Sequence, residues 1–150
     1  MPGTYSQILL HIVFSTRERK PWIAPDIAAR LHSYIGGIIE AERATLYEIG
    51  GVADHVHLYL RSRPDLPVSD LMRVVKARSS KWIHNSFPDL ADFAWQTGYS
   101  VFSVSKSQEP AVKRYIATQA EHYQTEDFQS ELLRLLRKHE VDFDERYIWD

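Results

Sequence analysis

Two histidines separated by one residue are the first candidates for chemistry in this 150-residue chain. His55 and His57 lie in an apolar run that follows a glycine pair, Gly50-Gly51. Successive side chains of a strand point to opposite faces, so both imidazoles would project from the same face of a strand. Neutral imidazole is the commonest side-chain ligand of metals in proteins. The spacing therefore predicts a metal-binding platform on a β-sheet.

A tyrosine and a glutamine four residues apart could complete such a site. A helix is predicted over residues 108–123, and on it Tyr115 and Gln119 are neighbours on one face. The amide oxygen of Gln119 can bind a metal. The phenol of Tyr115 can act as a nucleophile where a nearby cation or base favours the phenolate. Tyr123 is an alternative phenol, but Asp127, one turn after it, lies beyond the predicted end of the helix.

Hydrophobic periodicity predicts the elements that would hold these residues. Apolar alternation predicts strands over residues 8–14, 45–49, 55–60 and 99–105, and helical spacing predicts helices over residues 25–42, 70–84, 108–123 and 128–139. Gly50-Gly51 is predicted to form the turn between the second and third strands, because glycine makes tight turns inexpensive. Ser69 is predicted to be the N-cap of the second helix.

The order β-α-β-β-α-β predicts an α+β fold of the ferredoxin-like or RRM-like kind. In this fold an antiparallel sheet carries helices on one face, and here C-terminal catalytic and accessory helices follow. We expect one domain over residues 1–150 and an open second face of the sheet. His11, His55 and His57 would share that open face, since the first and third strands are central neighbours. Gln7 and Tyr59 are expected on the same face.

Composition narrows the class of protein. The chain has no cysteine, which excludes disulfides, thiolate metal sites and cysteine nucleophiles. No apolar stretch is long enough to cross a bilayer, and the first six residues do not resemble a signal peptide. These features predict a soluble, cytoplasmic protein without a membrane partner.

Charge is unevenly distributed along the chain. The net charge is −2, yet residues 1–120 carry 14 Lys and Arg against 11 Asp and Glu, while residues 121–150 carry 4 against 9. A basic surface over the first part is compatible with phosphate contacts. The candidate contacts are Arg17, Arg19, Lys20, Arg61, Arg63, Arg73, Lys76, Arg78 and Lys81.

These segments in this order resemble the single-tyrosine HUH transposases, the small enzymes of insertion sequences that move as single-stranded DNA with hairpin ends. The resemblance covers nearly the whole chain. It is carried by His11-Ile12-Val13-Phe14-Ser15-Thr16, Gly50 to Leu58 with the His-hydrophobic-His motif, Val68-Ser69-Asp70-Leu71 to Ser79-Ser80-Lys81-Trp82, Trp95 to Tyr99 leading to Phe102-Ser103-Val104-Ser105, Tyr115 to Gln119 followed by Glu121-His122, and Asp144 to Trp149.

The resemblance implies a mechanism and roles for individual residues. Tyr115 would attack a phosphodiester of single-stranded DNA, forming a 5′-phosphotyrosine link and a free 3′-hydroxyl. His55, His57 and Gln119 would hold one divalent ion, Mg²⁺ or Mn²⁺. Rejoining would need no ATP. The partners implied are single-stranded DNA with hairpins and a second copy of the chain in a homodimer, in which the tyrosine helix of one subunit can reach the histidines of the other.

Other interpretations of the same residues remain open at this point. His11 and His122 could contact a ligand of the metal, contact DNA, or simply face solvent. An RRM-like sheet could bind single-stranded nucleic acid without catalysis, although its open face offers histidines where stacking would favour aromatic rings. A metal-dependent hydrolase of small phosphoesters is the third possibility, and for it Tyr115 would be dispensable.

Overall fold

A four-stranded antiparallel sheet organises the protein. The structure, a computed structural model, describes residues 3–149, so the predicted domain limits at 1 and 150 lie outside the described residues. The strands are β1 (Ile8–Ser15), β2 (Thr45–Val52), β3 (His55–Ser62) and β4 (Ser100–Ser103). Their order is β2-β3-β1-β4, with every neighbouring pair antiparallel. The predicted α+β fold and the central pairing of β1 with β3 are confirmed.

Helices α1 (Pro25–Ala41) and α2 (Val68–Ser86) cover the first face of the sheet. Ile12 and Leu58 from the sheet, Leu31 from α1 and Leu71 from α2 are completely buried in the core between them. α2 begins before Ser69, because the amide of Asp70 already donates to the carbonyl of Pro67 at 3.1 Å. Ser69 therefore lies inside the helix, and the prediction that it is the N-cap is wrong.

The second face of the sheet is covered by three further helices, not open as predicted. These are α3 (Glu109–Ala117), α4 (Gln119–Thr125) and α5 (Phe128–Lys138). Val13 of β1 packs against Phe128 and Leu132 of α5, and Tyr59 of β3 is buried against Ile116 of α3. Apolar side chains alternate with His11 on this face, and burying them requires the helices.

The glycine pair belongs to β2, and the turn is made by Ala53 and Asp54. The predicted glycine turn is therefore wrong. A Cβ atom on Gly50 would collide with the carbonyl oxygen of Ile116. Glycine at this position lets the backbone of α3 lie directly against the strand, which brings the end of α3 close to the histidine strand.

The predicted helix over residues 108–123 is interrupted at Thr118, where φ is −107° and ψ is 28°. Tyr115 and Gln119 therefore lie on two consecutive helices, α3 and α4. The side-chain amide of Gln119 still donates to the carbonyl of Tyr115 at 3.4 Å. The break turns Gln119 inward, where only 2 % of the residue is exposed.

Among residues 3–149, no helix combines the length and the apolar character that crossing a membrane would require.

Candidate active site

The two histidines of β3 form the base of a buried polar site. Their side chains lie on the face covered by α3, α4 and α5, opposite the buried Val56 and Leu58. Asp54 Oδ1 lies 2.7 Å from Nδ1 of His55, and Nε2 of His11 lies 2.8 Å from Nδ1 of His57. These contacts fix both rings, so that each directs its Nε2 atom towards the covering helices.

Glu131 of α5 approaches both histidines and was not predicted as a site residue. Its Oε1 atom lies 3.0 Å from Nε2 of His55 and 3.1 Å from Nε2 of His57. Only 3 % of the residue is exposed. A buried carboxylate is costly unless it is paired, so the two imidazoles account for its position. A signal was present in the sequence, because Glu131 interrupts the apolar stripe formed by Phe128, Leu132 and Leu135.

Gln119 joins the same cluster from α4. Its Oε1 atom accepts a hydrogen bond from Nε2 of His55 at 2.9 Å, and its Nε2 atom donates to Oε2 of Glu131 at 3.2 Å. The structure thus brings together the three predicted metal ligands, His55, His57 and Gln119, and adds the carboxylate of Glu131 as a fourth candidate ligand.

Burial and the carboxylates act in opposite directions on the charges of the site. Burial alone lowers the pKa of His55, but Asp54 and Glu131 outweigh it and raise that pKa to about 9. Burial dominates at His57 and lowers its pKa. Burial and the neighbouring His57 lower the pKa of His11 to about 3. Burial opposes ionisation of Glu131, yet the hydrogen bonds from both histidines keep the pKa of its carboxyl well below the usual range.

The donor set fits a divalent cation. Ligand atoms of His55, His57 and Glu131 lie within 4.8 Å of one another. Two imidazole nitrogens with carboxylate and amide oxygens are ligands that Mn²⁺ and related divalent ions accept. Asp54 and His11 hydrogen-bond to the rings of the two candidate ligands, as supporting residues usually do at histidine metal sites.

Tyr115 places its hydroxyl at the edge of this cluster. The hydroxyl donates to Oε2 of Glu131 and accepts from Nη2 of Arg134 at 2.7 Å. Arg134 is held in turn by Glu126, with three contacts of 2.9–3.2 Å. Burial and Glu131 raise the pKa of Tyr115, while Arg134 acts in the opposite direction. Arg134 and Glu126, like Glu131, were not predicted as site residues.

The remaining predicted histidines occupy different positions. His11 contacts a predicted metal ligand, His57, as described above. The ring of His122 packs on the ring of Tyr115, with centroids 4.5 Å apart, and its Nε2 atom lies 3.2 Å from Oγ1 of Thr118. Tyr123 is 40 % exposed, and its ring centroid lies 6.5 Å from that of His55. The structure therefore favours Tyr115 over Tyr123 as the phenol of the site.

The predicted phosphate-binding cations are not gathered around this site. Arg73, Lys76, Arg78 and Lys81 lie on α2, on the opposite face of the sheet. Lys76 is partly buried and donates to the backbone carbonyls of Gln96 and Gly98. Lys76 therefore stabilises the loop before β4. Arg17, Arg19 and Lys20 lie in and just after the 3₁₀ turn Arg17–Arg19, where Arg19 stacks over Trp149 at 5.3 Å. Arg61 is exposed, and Arg63 pairs with Asp65 at 2.6 Å.

Comparison with known proteins now identifies the family. The family model described as IS200-like transposase matches residues 4–119, well over half of the chain. The chain belongs to the IS200-like transposase family. Its members are enzymes of DNA recombination encoded by insertion sequences. The match contains His55, His57, Tyr115 and Gln119, and it ends before α5, the helix that carries Glu131.

Two relatives illustrate how far this IS200-like transposase has diverged. It is 21 % identical over 122 residues to the ISDra2 transposase TnpA of Deinococcus radiodurans, covering 78 % of this chain and 87 % of that protein. It is 29 % identical over 117 residues to the transposase for insertion sequence element IS200 of Salmonella typhimurium, covering 74 % and 76 %.

Two solved structures share the fold of this IS200-like transposase. A crystal structure of a Deinococcus radiodurans protein described as a transposase matches with a TM-score of 0.67 and 22 % identity, over 79 % of this chain and 95 % of that one. A REP-associated tyrosine transposase bound to a REP hairpin matches with a TM-score of 0.57 and 14 % identity, over 77 % and 68 %. The likeness supports the fold assignment.

Proposed function

We propose that this transposase cleaves and rejoins single-stranded DNA at hairpin-bearing ends through a covalent link to Tyr115. The observation that carries the proposal is the position of the Tyr115 hydroxyl, which contacts Glu131 while the same carboxylate contacts both histidines of the His-hydrophobic-His motif. A phenol next to a divalent-metal site is an arrangement suited to phosphoryl transfer to tyrosine.

Three residues of the site, Tyr115, Glu131 and Arg134, have defined parts in the proposed reaction. The Tyr115 oxygen forms a bond to phosphorus, and the bond from phosphorus to the 3′-oxygen breaks. Oε2 of Glu131 accepts the hydrogen bond of the phenol and so orients its oxygen. The phenol proton passes to water, and the departing 3′-oxygen takes a proton from water. Arg134 donates to the phenol oxygen and so balances the charge that develops there. The reverse attack by a 3′-hydroxyl rejoins the strand, so no ATP is needed.

We propose His55, His57, Gln119 and Glu131 as the residues that hold one divalent ion, Mg²⁺ or Mn²⁺. Such an ion, when bound, supplies positive charge that polarises the scissile phosphate. Asp54 and His11 orient the two rings for that purpose.

The proposed site is assembled within one chain. The Tyr115 hydroxyl contacts Glu131 of its own subunit, and the Tyr115 ring lies 5.8 Å from the ring of His57. These contacts support catalysis in cis. A homodimer in which subunits exchange tyrosine helices is a separate prediction of the resemblance. Mixing two variants, one without the tyrosine and one without a histidine, distinguishes the two arrangements.

The proposal is tested by incubating the protein with labelled, hairpin-bearing single-stranded DNA from the ends of its element, together with Mn²⁺. We expect a protein–DNA adduct that survives denaturing electrophoresis, and we expect Tyr115→Phe to abolish it. Tyr123→Phe is the matched control and should form the adduct normally. If wild type forms no adduct with authentic ends, or if Tyr115→Phe still forms one, the proposal is wrong.

The two other candidate functions are less well supported by the structure. A base-stacking sheet needs an accessible surface, yet α3, α4 and α5 cover the face that carries the histidines. A hydrolase of small phosphoesters would not need Tyr115, whose hydroxyl is held between Glu131 and Arg134.

A further inference from the structure

A cavity of about 390 Å³ lies beside Tyr115, between α3, α5 and the strand β4. Its volume is in the range of pockets that hold small organic molecules. Tyr115 and His11 form its border with the candidate active site. β4 is an edge strand of the sheet, so an extended polymer could pass along this side of the protein.

The lining of the cavity combines two kinds of surface. Val104, Val112 and Leu135 contribute apolar side chains, and Arg134 and Lys138 contribute positive charge. Lys138 is exposed and forms no salt bridge with any residue in the described range 3–149. An apolar wall beside two cations suits the flat face of a base together with a phosphate.

His139 forms one wall of the cavity, and two contacts hold its ring in place. Its ring stacks on Phe102 with centroids 4.4 Å apart, and its Nδ1 atom donates to the carbonyl of Leu135 at 2.9 Å. A carbonyl only accepts, so Nδ1 carries a proton and the Nε2 edge of the ring is the one free to face the cavity. Gln108 and Ser105 add polar groups at the rim. Such groups can hydrogen-bond the edge of a base.

The stereochemistry of the proposed cleavage decides which nucleotide can enter. The attacking Tyr115 oxygen and the departing 3′-oxygen lie roughly in line across the phosphorus. The nucleoside that departs is therefore on the far side of the phosphorus from the tyrosine. The nucleoside bonded through its 5′-oxygen is not in that line and can turn back beside the tyrosine ring, where the cavity lies.

From this geometry we infer that the cavity is a binding site for the first nucleotide on the 3′ side of the cleaved bond, the nucleotide that stays attached to Tyr115. Arg134 contacts its phosphate and Lys138 the phosphate that follows, while the base lies against Val104, Val112 and Leu135. This inference rests on the proposed function for its account of which nucleotide enters. It assigns the α5 helix, outside the family match, a role in holding the covalent intermediate.

Two variants that fill the cavity test the inference. Ala111 and Ser105 are exposed residues on its rim, so Ala111→Trp and Ser105→Trp should fold normally while blocking entry. Ala41→Trp is the matched control, an exposed alanine at the end of α1 on the opposite face of the sheet. Melting curves establish whether the variants are folded. If Ala111→Trp does not fold, Ser105→Trp is the variant that tests the inference.

Adduct formation is measured on DNA that lacks a single base next to the cleaved bond. With wild type, we expect removal of the base on the 3′ side to lower kcat/KM about tenfold or more, and removal of the base on the 5′ side to have a smaller effect. Ala111→Trp should lower kcat/KM on intact DNA by a similar factor and cause little further loss on the DNA lacking the 3′ base. An unchanged rate in both filling variants, or a larger effect of the 5′ base, would overturn the inference.

A binding measurement separates this inference from the proposed function. Dinucleotides with a 5′-phosphate, one for each of the four bases, are titrated against the protein, and NMR shifts are followed. We expect at least one to perturb signals of Val104 and Val112 in wild type and in Ala41→Trp, but not in Ala111→Trp. If the dinucleotides bind as described although wild type forms no adduct, only the proposed function fails. Binding that is equal in Ala111→Trp, or no binding in wild type, overturns the cavity assignment.

Discussion

Oε1 of Glu131 lies 3.1 Å from Nε2 of His57, although 74 positions separate the two residues in the sequence. The contact joins α5, which lies outside the family match, to the strand that carries the two histidines. The other carboxylate oxygen of Glu131, Oε2, accepts a hydrogen bond from the Tyr115 hydroxyl. One carboxylate therefore links the candidate metal ligands to the candidate nucleophile.

Loss of this carboxylate should weaken metal binding. We expect Glu131→Ala to lower the affinity for Mn²⁺ at least tenfold, about 1.4 kcal/mol, because Glu131 is the one negatively charged residue among the four proposed ligands. Gln119→Ala, which removes a neutral ligand, should have a milder effect. Calorimetric titration in the absence of DNA measures both, and Glu121→Gln, at an exposed position of α4, is the control. Equal affinity in Glu131→Ala and wild type would remove Glu131 from the ligand set.

The same ligands should make the metal a stabiliser of the fold. An ion that binds only the folded chain raises the melting temperature by an amount that grows with the logarithm of its concentration relative to its dissociation constant. We expect Mn²⁺ to raise the melting temperature of wild type and to have little effect on His57→Ala. Thermal unfolding with and without a chelator measures this. Equal shifts in both proteins would place the bound ion elsewhere.

Mixing two inactive variants distinguishes assembly within one chain from assembly between subunits. Tyr115→Phe retains the metal ligands, and His57→Ala retains the tyrosine. If the site forms in cis, as the contacts of Tyr115 support, the mixture stays inactive after the two proteins are unfolded and refolded together. Recovered adduct formation would instead show that the tyrosine of one subunit reaches the histidines of another.

Gly50 should be intolerant of any side chain. A Cβ atom there meets the carbonyl of Ile116, so Gly50→Ala must displace α3 from β2. We expect a loss of about 1–3 kcal/mol in the free energy of unfolding, typical of overpacking, together with reduced cleavage. Gly37→Ala is the control, because nothing lies within 4 Å of its added Cβ and it is exposed on α1. That change should stabilise the protein by roughly 0.5–1 kcal/mol.

A partly buried hydrogen bond between α3 and the sheet should make stability depend on pH. The Tyr59 hydroxyl donates to Oε2 of Glu109 at 2.6 Å, and this bond, with that from Lys106, lowers the pKa of Glu109. A carboxyl whose pKa is lower in the folded state stabilises the fold above its unfolded pKa, and the effect is lost as pH falls through the folded pKa. Glu109→Gln should therefore melt below wild type at pH 7, and this difference should shrink as pH falls through the folded pKa of Glu109. A constant difference would contradict the linkage.

Local sequence patterns were sufficient for the order of elements and for part of the site. Alternation in β1 and β3 and helical spacing in α1 are short-range signals, so the fold and the positions of His55 and His57 were predictable. The role of Gly50 was not predictable, because it depends on a contact with the backbone of Ile116, 66 residues later in the sequence. The break at Thr118 was also missed, since no proline or glycine marks it.

Long-range contacts account for the site residues that were missed. Glu131 and Arg134 lie on a helix whose apolar stripe predicted burial, but its partner on the sheet could not be read from spacing. Because the histidine face of the sheet was predicted to be open, no helix was expected to lie against it. Once α5 is placed over Val13 and Phe102, a glutamate in its buried stripe must meet the polar groups of that face, which are the histidines.

The most direct test of this account is to locate the covalent bond to DNA. Wild type is reacted with hairpin-bearing single-stranded DNA in Mn²⁺, the adduct is digested with protease and nuclease, and tandem mass spectrometry identifies the peptide that carries the nucleotide. We predict a nucleotide joined through its 5′-phosphate to Tyr115, and no adduct in Tyr115→Phe. A nucleotide on Tyr123 or on any other residue would contradict the central claim.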